Sequence, residues 1–244
     1  MHKALEADGA LHLREMAGRL GVSEMTLRRD LVDNTAGLRL LGGHITRGGT
    51  AEADYQVAEQ DRRQIAEKRR IGVLAAALVQ PGDTLFLDCG TTTPFIIDAL
   101  PEQLEFTAVC NSLNVLLKLQ QRPNCTVMLC GGTFHRRNMV FENPAETGLL
   151  DDIRVAWAFI SAAGVDAAHG VTCYNLNEVA VKRRVMARAK TTVLVADSSK
   201  FGQVRAAHFA ELADFQQVIS DDGLAAEQRR LIVGSGAHLL LSRP

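Results

Sequence analysis

A chain of 244 residues, 47% hydrophobic and 23% charged, has the composition of a folded globular protein with room for one large domain or a small and a medium one. It contains no apolar run of about 18 residues and no basic start leading into an apolar core, so neither a membrane-spanning helix nor a secretory signal is expected and the predicted location is the cytoplasm. The net charge of −1 excludes a strongly basic nucleic-acid binder, and the five cysteines, without a CxxC pair, predict reduced thiols rather than a disulfide framework or a metal site.

Residues 1–10 (MHKALEADGA) predict at most a turn or two of helix, broken at Gly9, and Leu11-His12-Leu13 a short strand. From Leu13 the pattern sharpens into two short helices joined by a tight turn, a helix-turn-helix spanning about His12 to Leu31. Leu13, Met16, Ala17 and Leu20 fall at i, i+3, i+4 and i+7 and form one apolar stripe. Gly21 ends the first helix, and Ser23 stands where an N-cap belongs. In the second helix Leu27 and Leu31 are predicted to be buried, which puts Met25, Thr26, Arg28 and Arg29 on or beside the outer face. Hydroxyl and guanidinium groups on such a face suit the DNA major groove, although periodicity alone also allows an ordinary helical hairpin with a solvated face.

Leu38–Leu41, Gly42-Gly43 and His44–Thr46 read as a β-hairpin, the glycine pair supplying the positive φ of a two-residue turn. Arg39, His44 and Arg47 are its candidate phosphate contacts, as they are candidates for plain solvated arginines and histidine. The first 47 residues carry seven Lys/Arg against six Asp/Glu, so the case for DNA rests on placement of charge and not on its amount. Residues 48–54 form a Gly-rich linker, dividing the chain into a domain at 1–47 and a second at 55–244.

The second domain is predicted to open on a long helix from about Tyr55 to Pro81-Gly82, with Arg62, Arg63, Lys68, Arg69 and Arg70 on its polar side and Ile65, Ile71, Leu74, Ala75 and Leu78 on its apolar side. Strand and helix then alternate. Predicted strands are Thr84–Leu87, Phe106–Val109, Thr126–Leu129, Trp157–Ile160, Thr191–Ala196, a piece around Val218-Ile219 and Leu239–Leu241, which argues for a mostly parallel α/β sheet covered by helices.

Ligands of open α/β sheets bind at the carboxyl ends of strands. Three loops there, Asp88-Cys89-Gly90-Thr91-Thr92-Thr93, Asn111-Ser112 and Cys130-Gly131-Gly132, are alike in offering small polar side chains or bare backbone. Hydroxyls and exposed N–H groups beside a helix start make an anion site. Each loop alone is weak, and three at successive strand ends are stronger. The candidate effector residues are Asp88, Gly90, Thr91, Thr92, Thr93, Asn111, Ser112, Gly131 and Gly132, joined by Tyr174, Asn175, Glu178, Lys182 and Lys200 from the C-terminal half. There is no G-x-G-x-x-G and no Walker A string, which argues against a nucleotide.

SEMTLRRDL in the second helix, followed by LFLDCGTTTPFII, FTAVCNSLN, LCGG, SAAGV, GVTCYNLNE, VKR and VLVADSSKFG, resembles the DeoR family of bacterial repressors over about residues 10–222, most closely its deoxyribonucleoside-operon branch. The resemblance implies an N-terminal winged helix-turn-helix (α+β) followed by a sensing domain similar to ribose-5-phosphate isomerase. A full helix precedes the helix pair in that family, so the first helix of this chain is read as truncated. No catalytic residue, cofactor or metal is implied. The implied partners are double-stranded operator DNA, a small phosphorylated sugar (deoxyribose 5-phosphate first) and a second copy of the chain in a dimer or larger oligomer. The alternative is a working sugar-phosphate isomerase. Isomerases of this fold carry an acid-rich loop after the fourth strand. The equivalent Ser161–Asp166 (SAAGVD) lacks most of those acids, leaving Asp166 and, further on, Glu178.

Overall fold

A computed structural model describes residues 10–27, 38–41, 44–47, 63–143 and 148–243, with the backbone alone for the three strands of the first unit. The chain divides into two compact units, residues 1–54 and 55–244.

In the first unit β1 (Ala10–His12) leads directly into α1 (Leu13–Leu20). Leu13, Met16 and Ala17 are buried as the stripe requires, but Leu20 is 43% exposed, because it lies in the last turn where the helix is already closing. Gly21 takes a φ of +66°, and the helix ends with Val22 N–H donating to Ala17 O (3.1 Å) and Gly21 N–H to Gly18 O (3.3 Å). That pair of bonds is the Schellman closure glycine permits. Ser23 then caps the next helix, whose residues 24–27 are described: its Oγ accepts from Thr26 N–H at 3.0 Å, and Leu27 is buried. Strands β2 (Leu38–Leu41) and β3 (His44–Arg47) complete a sheet of order β1-β3-β2. Leu41 pairs with His44, which leaves two residues for the turn, as a hairpin wing demands. Gly42, Gly43, Leu31, the linker and residues 1–9 lie outside the described residues.

The second unit opens on α2 (Ile65–Ala76), and here the structure corrects the expected long helix. Gln64 has a left-handed φ of 52°, so the helix starts at Ile65. Its packed stripe runs through Lys68, Ile71, Gly72, Ala75 and Ala76, spaced i, i+3, i+4, i+7 and i+8. Lys68 is therefore buried rather than on the polar side, and Ile65 is exposed. Gly72 is required because a Cβ there would run into the backbone of Phe95 on α3 (Thr93–Ala99).

The sheet is built from β4 (Thr84–Leu87), β5 (Phe106–Cys110), β6 (Cys125–Leu129), β9 (Trp157–Ser161), β12 (Thr191–Val195), β14 (Gln217–Asp221) and β15 (His238–Ser242), all parallel, in the order β15-β14-β12-β9-β4-β5-β6. Leu85 and Leu87 enter one apolar cluster and Phe86 the other, so both faces of the sheet are covered. Helices α4 (Leu113–Leu119), α5 (Leu149–Asp152), α6 (Val179–Met186) and α7 (Ala226–Gly234) connect the strands. Two small antiparallel additions were not expected: a hairpin of β7 (Thr133–His135) and β8 (Val140–Glu142), and a sheet of β10 (Gly164–Asp166), β11 (Gly170–Cys173) and β13 (Ala207–Ala210). Among the described residues no helix is long and apolar enough to cross a membrane.

Candidate functional site

The strand order reverses between β4 and β9. From β4 the chain steps outward through β5 and β6, returns to lay β9 on the other side of β4, and proceeds through β12, β14 and β15. Loops leaving adjacent strands in opposite directions open a crevice at their carboxyl ends. Asp88 follows β4 and Ser161 ends β9, so both stand at this crevice.

Asp88 is almost completely buried. Its Oδ2 accepts from Ser161 N–H at 2.9 Å, from the Ser161 hydroxyl and from the Lys182 ammonium. Lys182, equally buried, also donates to Ser161 O at 3.1 Å and lies 5.0 Å from the centre of the Phe209 ring. Burial by itself would push the Asp88 carboxyl up, but the Lys182 charge and the hydrogen bonds from Lys182 and Ser161 outweigh it and hold the group below the usual carboxylate range. Burial likewise opposes the Lys182 ammonium, and the Asp88 carboxylate more than offsets it, raising lysine above its ordinary value. The pair is thus ionised on both sides, a satisfied internal salt bridge. Gly90 is what lets it form, because a Cβ at that position would overlap the Ser161 side chain.

A cavity of about 490 Å³, its open mouth included, sits above this pair. Gly90, Thr91 and Thr92 from the β4 loop, Ser161–Ala163 from the β9 loop, and Tyr174, Glu178, Lys182 and Lys200 line it. The Thr91-Thr92 segment brings backbone and hydroxyl donors, Lys200 a cation, and Glu178 an acceptor, a set able to hold a small molecule with a phosphate at one end and hydroxyls elsewhere. Two thiols, Cys89 and Cys173, also face it. Burial drives Cys89 well up and Cys173 to about 12, so both stay protonated.

Of the expected effector residues, Gly90, Thr91, Thr92, Tyr174, Glu178, Lys182 and Lys200 come together on the cavity wall. Asp88 lies directly beneath through Lys182. Thr93 turns away from the space, its hydroxyl donating to Asp88 O (2.6 Å) and Gly90 O (2.9 Å), which shapes the loop. Asn175 reaches the site through Glu178, donating to its Oε1 at 2.7 Å. Asn111, Ser112, Gly131 and Gly132 do not line the cavity. Asn111, Ser112 and Gly132 instead seat the β7–β8 hairpin: Asn111 O accepts from Phe141 N–H (2.7 Å), Ser112 bridges to Val140, and a Cβ on Gly132 would overlap Glu142 O. Asp166 does not line the cavity either and is bonded instead to His169 at 2.8 Å. Sequence reasoning missed Ser161 and Asn138. Ser161 opens the SAAGV motif and could have been found from it, whereas nothing local marks Asn138, which the hairpin delivers to Glu178 Oε1 at 2.8 Å.

In the first unit Met25 is 77% exposed on the outer side of its helix, while the Thr26 hydroxyl lies 2.8 Å from Ser23 Oγ and belongs to the cap. Arg28 and Arg29, and the side chains of Arg39, His44 and Arg47, lie outside the described residues.

Residues 63–222 match the DeoR C terminal sensor domain and residues 1–46 the DeoR-like helix-turn-helix domain. The chain is 47% identical over 217 residues to the deoxyribose operon repressor of Escherichia coli strain K12, covering 89% of this chain and 86% of that protein. It is 33% identical over 241 residues to the HTH-type transcriptional regulator YgbI of the same strain, covering 96% and 92%. Among solved structures, ribose 5 phosphate isomerase A from Neisseria gonorrhoeae aligns with a TM-score of 0.42 and 19% identity over 58% of this chain and 54% of that one.

Proposed function

The chain belongs to the DeoR family, and from that premise we propose that it is a DNA-binding transcriptional repressor of a sugar or deoxyribonucleoside catabolic operon, released from its operator by deoxyribose 5-phosphate. It is a regulator and not an enzyme: the relatives it matches are named transcriptional regulators and repressors. The observation that carries the effector half is the crevice at the β4/β9 reversal, where Thr91, Thr92 and Lys200 offer phosphate contacts in the sensor unit of a chain headed by a helix-turn-helix. Residues 1–47 read DNA, with Met25, Arg28 and Arg29 facing the major groove and Arg39, His44 and Arg47 at the backbone. Residues 55–244 bind the effector and a second copy of the chain, so that two recognition helices stand roughly 34–36 Å apart, one turn of DNA. Sugar phosphate favours an arrangement that spoils this spacing, with a coupling of about 1–3 kcal/mol.

The test is a thermal-stability titration with deoxyribose 5-phosphate, ribose 5-phosphate, fructose 1-phosphate and glycerol 3-phosphate, followed by anisotropy of labelled promoter DNA from the protein's own operon. At about 100 times its dissociation constant the effector stabilises the fold by about 2.7 kcal/mol. Deoxyribose 5-phosphate is expected to give that shift and to release the DNA. Lys200→Ala is expected to lose the shift while keeping DNA, and Arg29→Ala to lose DNA while keeping the shift. A shift with another sugar phosphate alone moves the regulated pathway, and turnover of any of them overturns the repressor reading.

A further inference from the structure

Glu178 is only 6% exposed and makes no ion pair among the described residues: its Oε1 accepts from Asn138 Nδ2 at 2.8 Å and from Asn175 Nδ2 at 2.7 Å. Its Oε2 takes no hydrogen bond among the described residues, and the residue lines the cavity. Lys182, one helical turn further on, is bonded to Asp88 and also feels the Glu178 charge, so one cation stands between two carboxylates and the trio keeps a net negative charge. Two neutral amides fix a carboxylate in place without cancelling its charge, whereas a lysine or arginine partner would cancel it.

The clamp is assembled from separate parts of the chain. Asn175 comes from the turn before α6, three residues away from Glu178. Asn138 comes from the tip of the β7–β8 hairpin, and it also donates to Asn177 Oδ1 at 3.2 Å. The hairpin tip is held hard: Met139 sits at a left-handed φ of 59°, its carbonyl accepting from Leu113 N–H at 2.8 Å. A non-glycine residue persists in that region only where its surroundings impose it. Here Asn111, Ser112 and Leu113 impose it, from the loop that ends β5.

We propose that Glu178 is the specificity-determining residue of this cavity: clamped by Asn138 and Asn175, it presents one oxygen to a hydroxyl of the bound sugar, and the net negative charge it leaves beside the Asp88–Lys182 pair turns away a second anionic group, so that the effector is restricted to sugar monophosphates. Asn138 is a positioning residue that acts through Glu178. This rests on the cavity being the effector site. The phosphate then lies at the Thr91-Thr92 and Lys200 side, because an anion placed against the buried Glu178 meets a like charge. A hydroxyl placed there donates to a charged acceptor already oriented toward it.

The experiment is calorimetric titration of the full chain with deoxyribose 5-phosphate, deoxyribose 1,5-bisphosphate and inorganic phosphate, using wild type, Glu178→Gln and Asn138→Ala. Wild type is expected to prefer the monophosphate by about 100-fold, the scale of a like-charge clash. Glu178→Gln weakens the monophosphate about tenfold, the loss of one charge-assisted bond, and tightens the bisphosphate, bringing the two within about tenfold of each other. Asn138→Ala weakens the monophosphate about fivefold, less than the loss of the charged acceptor itself, and keeps the bisphosphate excluded, because the charge remains. A merely structural role would weaken both sugars alike and leave their ratio unmoved. An unchanged ratio in Glu178→Gln, no preference in wild type, or an unchanged monophosphate affinity in Asn138→Ala overturns the proposal while monophosphate binding preserves the effector site. Binding of none of the three by wild type overturns both.

Discussion

Two neighbouring strands end in loops of similar make-up and use them differently. After β4, Asp88–Thr93 opens onto the cavity, its aspartate locked under Lys182 and Thr91 and Thr92 on the wall. After β5, Asn111 and Ser112 are just as buried and just as polar, yet they hold the β7–β8 hairpin and do not line that cavity. The difference is position in the sheet. β4 borders the point where strand order reverses, and β5 lies one strand outside it, where the space above the strand end is filled by the chain's own hairpin. A glycine- and hydroxyl-bearing loop is therefore a ligand loop only where topology leaves room above it.

The largest expected effect separates the β4 loop by its charge. Asp88→Ala strands a buried ammonium, and Lys182→Met a buried carboxylate; each is expected to cost about 3–5 kcal/mol, read as a drop in thermal midpoint by calorimetry. The double replacement Asp88→Leu with Lys182→Met is expected to recover most of that loss, because two apolar side chains remove both desolvation costs together. The pair also sets a pH signature. A depressed Asp88 contributes stability above the ordinary carboxylate pKa and loses it only as pH falls through its lower folded value. A raised Lys182 contributes below the ordinary lysine pKa and loses it only as pH rises through its higher folded value. The stability gap between wild type and the double replacement is thus expected to be flat from about pH 6 to about pH 9 and to narrow only outside it. A gap that changed across neutral pH would mean that the pair is not ionised as described.

The glycines give a middle-sized contrast. Gly90→Ala drives a methyl into Ser161 and is expected to cost about 1–3 kcal/mol in a urea melt, and to loosen the Asp88–Ser161 bonds under the effector. Gly132→Ala meets Glu142 O and has a φ of +135°, so it is expected to cost as much in stability and to reach the proposed effector site only indirectly, through the hairpin that carries Asn138, with a smaller loss of binding. Gly131→Ala, with open space around its Cβ, is expected to be nearly neutral. Equal losses of effector binding in Gly90→Ala and Gly132→Ala would erase the distinction between the two loops.

What the sequence made legible follows the length of the signal. Buried strands such as Thr84–Leu87 and Thr191–Val195 show as apolar runs between turn residues, and the parallel sheet follows from their alternation with helices. The Gly21–Ser23 junction was legible because stop and cap are single-residue chemistry. The short β7, β10 and β13 were not, since three or four residues carry too little periodicity and their pairing is set by distant partners such as Val171 with Ala210. Lys68 misled for another reason: its type says surface, and only the phase of the packed stripe says otherwise. In the site, residues that carry a motif of their own were found even far along the chain, as Lys182 and Lys200 were, and the residue delivered by the unexpected hairpin was not. Asn138 meets Glu178 across 40 positions of sequence, a contact no local pattern encodes.

The smallest expected effect cuts closest to the comparison. Ser112 is fully buried, and its Oγ has no hydrogen-bond partner among the described residues. A buried hydroxyl without a partner has already lost its water, so deleting it forfeits no bond and relieves a desolvation cost, offset by the small volume removed. Ser112→Ala is therefore expected to lie within about 0.5 kcal/mol of wild type in a denaturant melt and to leave the dissociation constant for deoxyribose 5-phosphate unchanged. The backbone bridge from Ser112 to Val140 survives the change, so the hairpin still delivers Asn138 to Glu178. Thr92→Val removes a hydroxyl of the same kind from the cavity wall and is expected to weaken that ligand by several-fold, about 0.5–1.5 kcal/mol, at similar stability. If Ser112→Ala weakened the ligand as much as Thr92→Val, the β5 loop would reach the effector after all, through a hairpin that opens when the sugar binds.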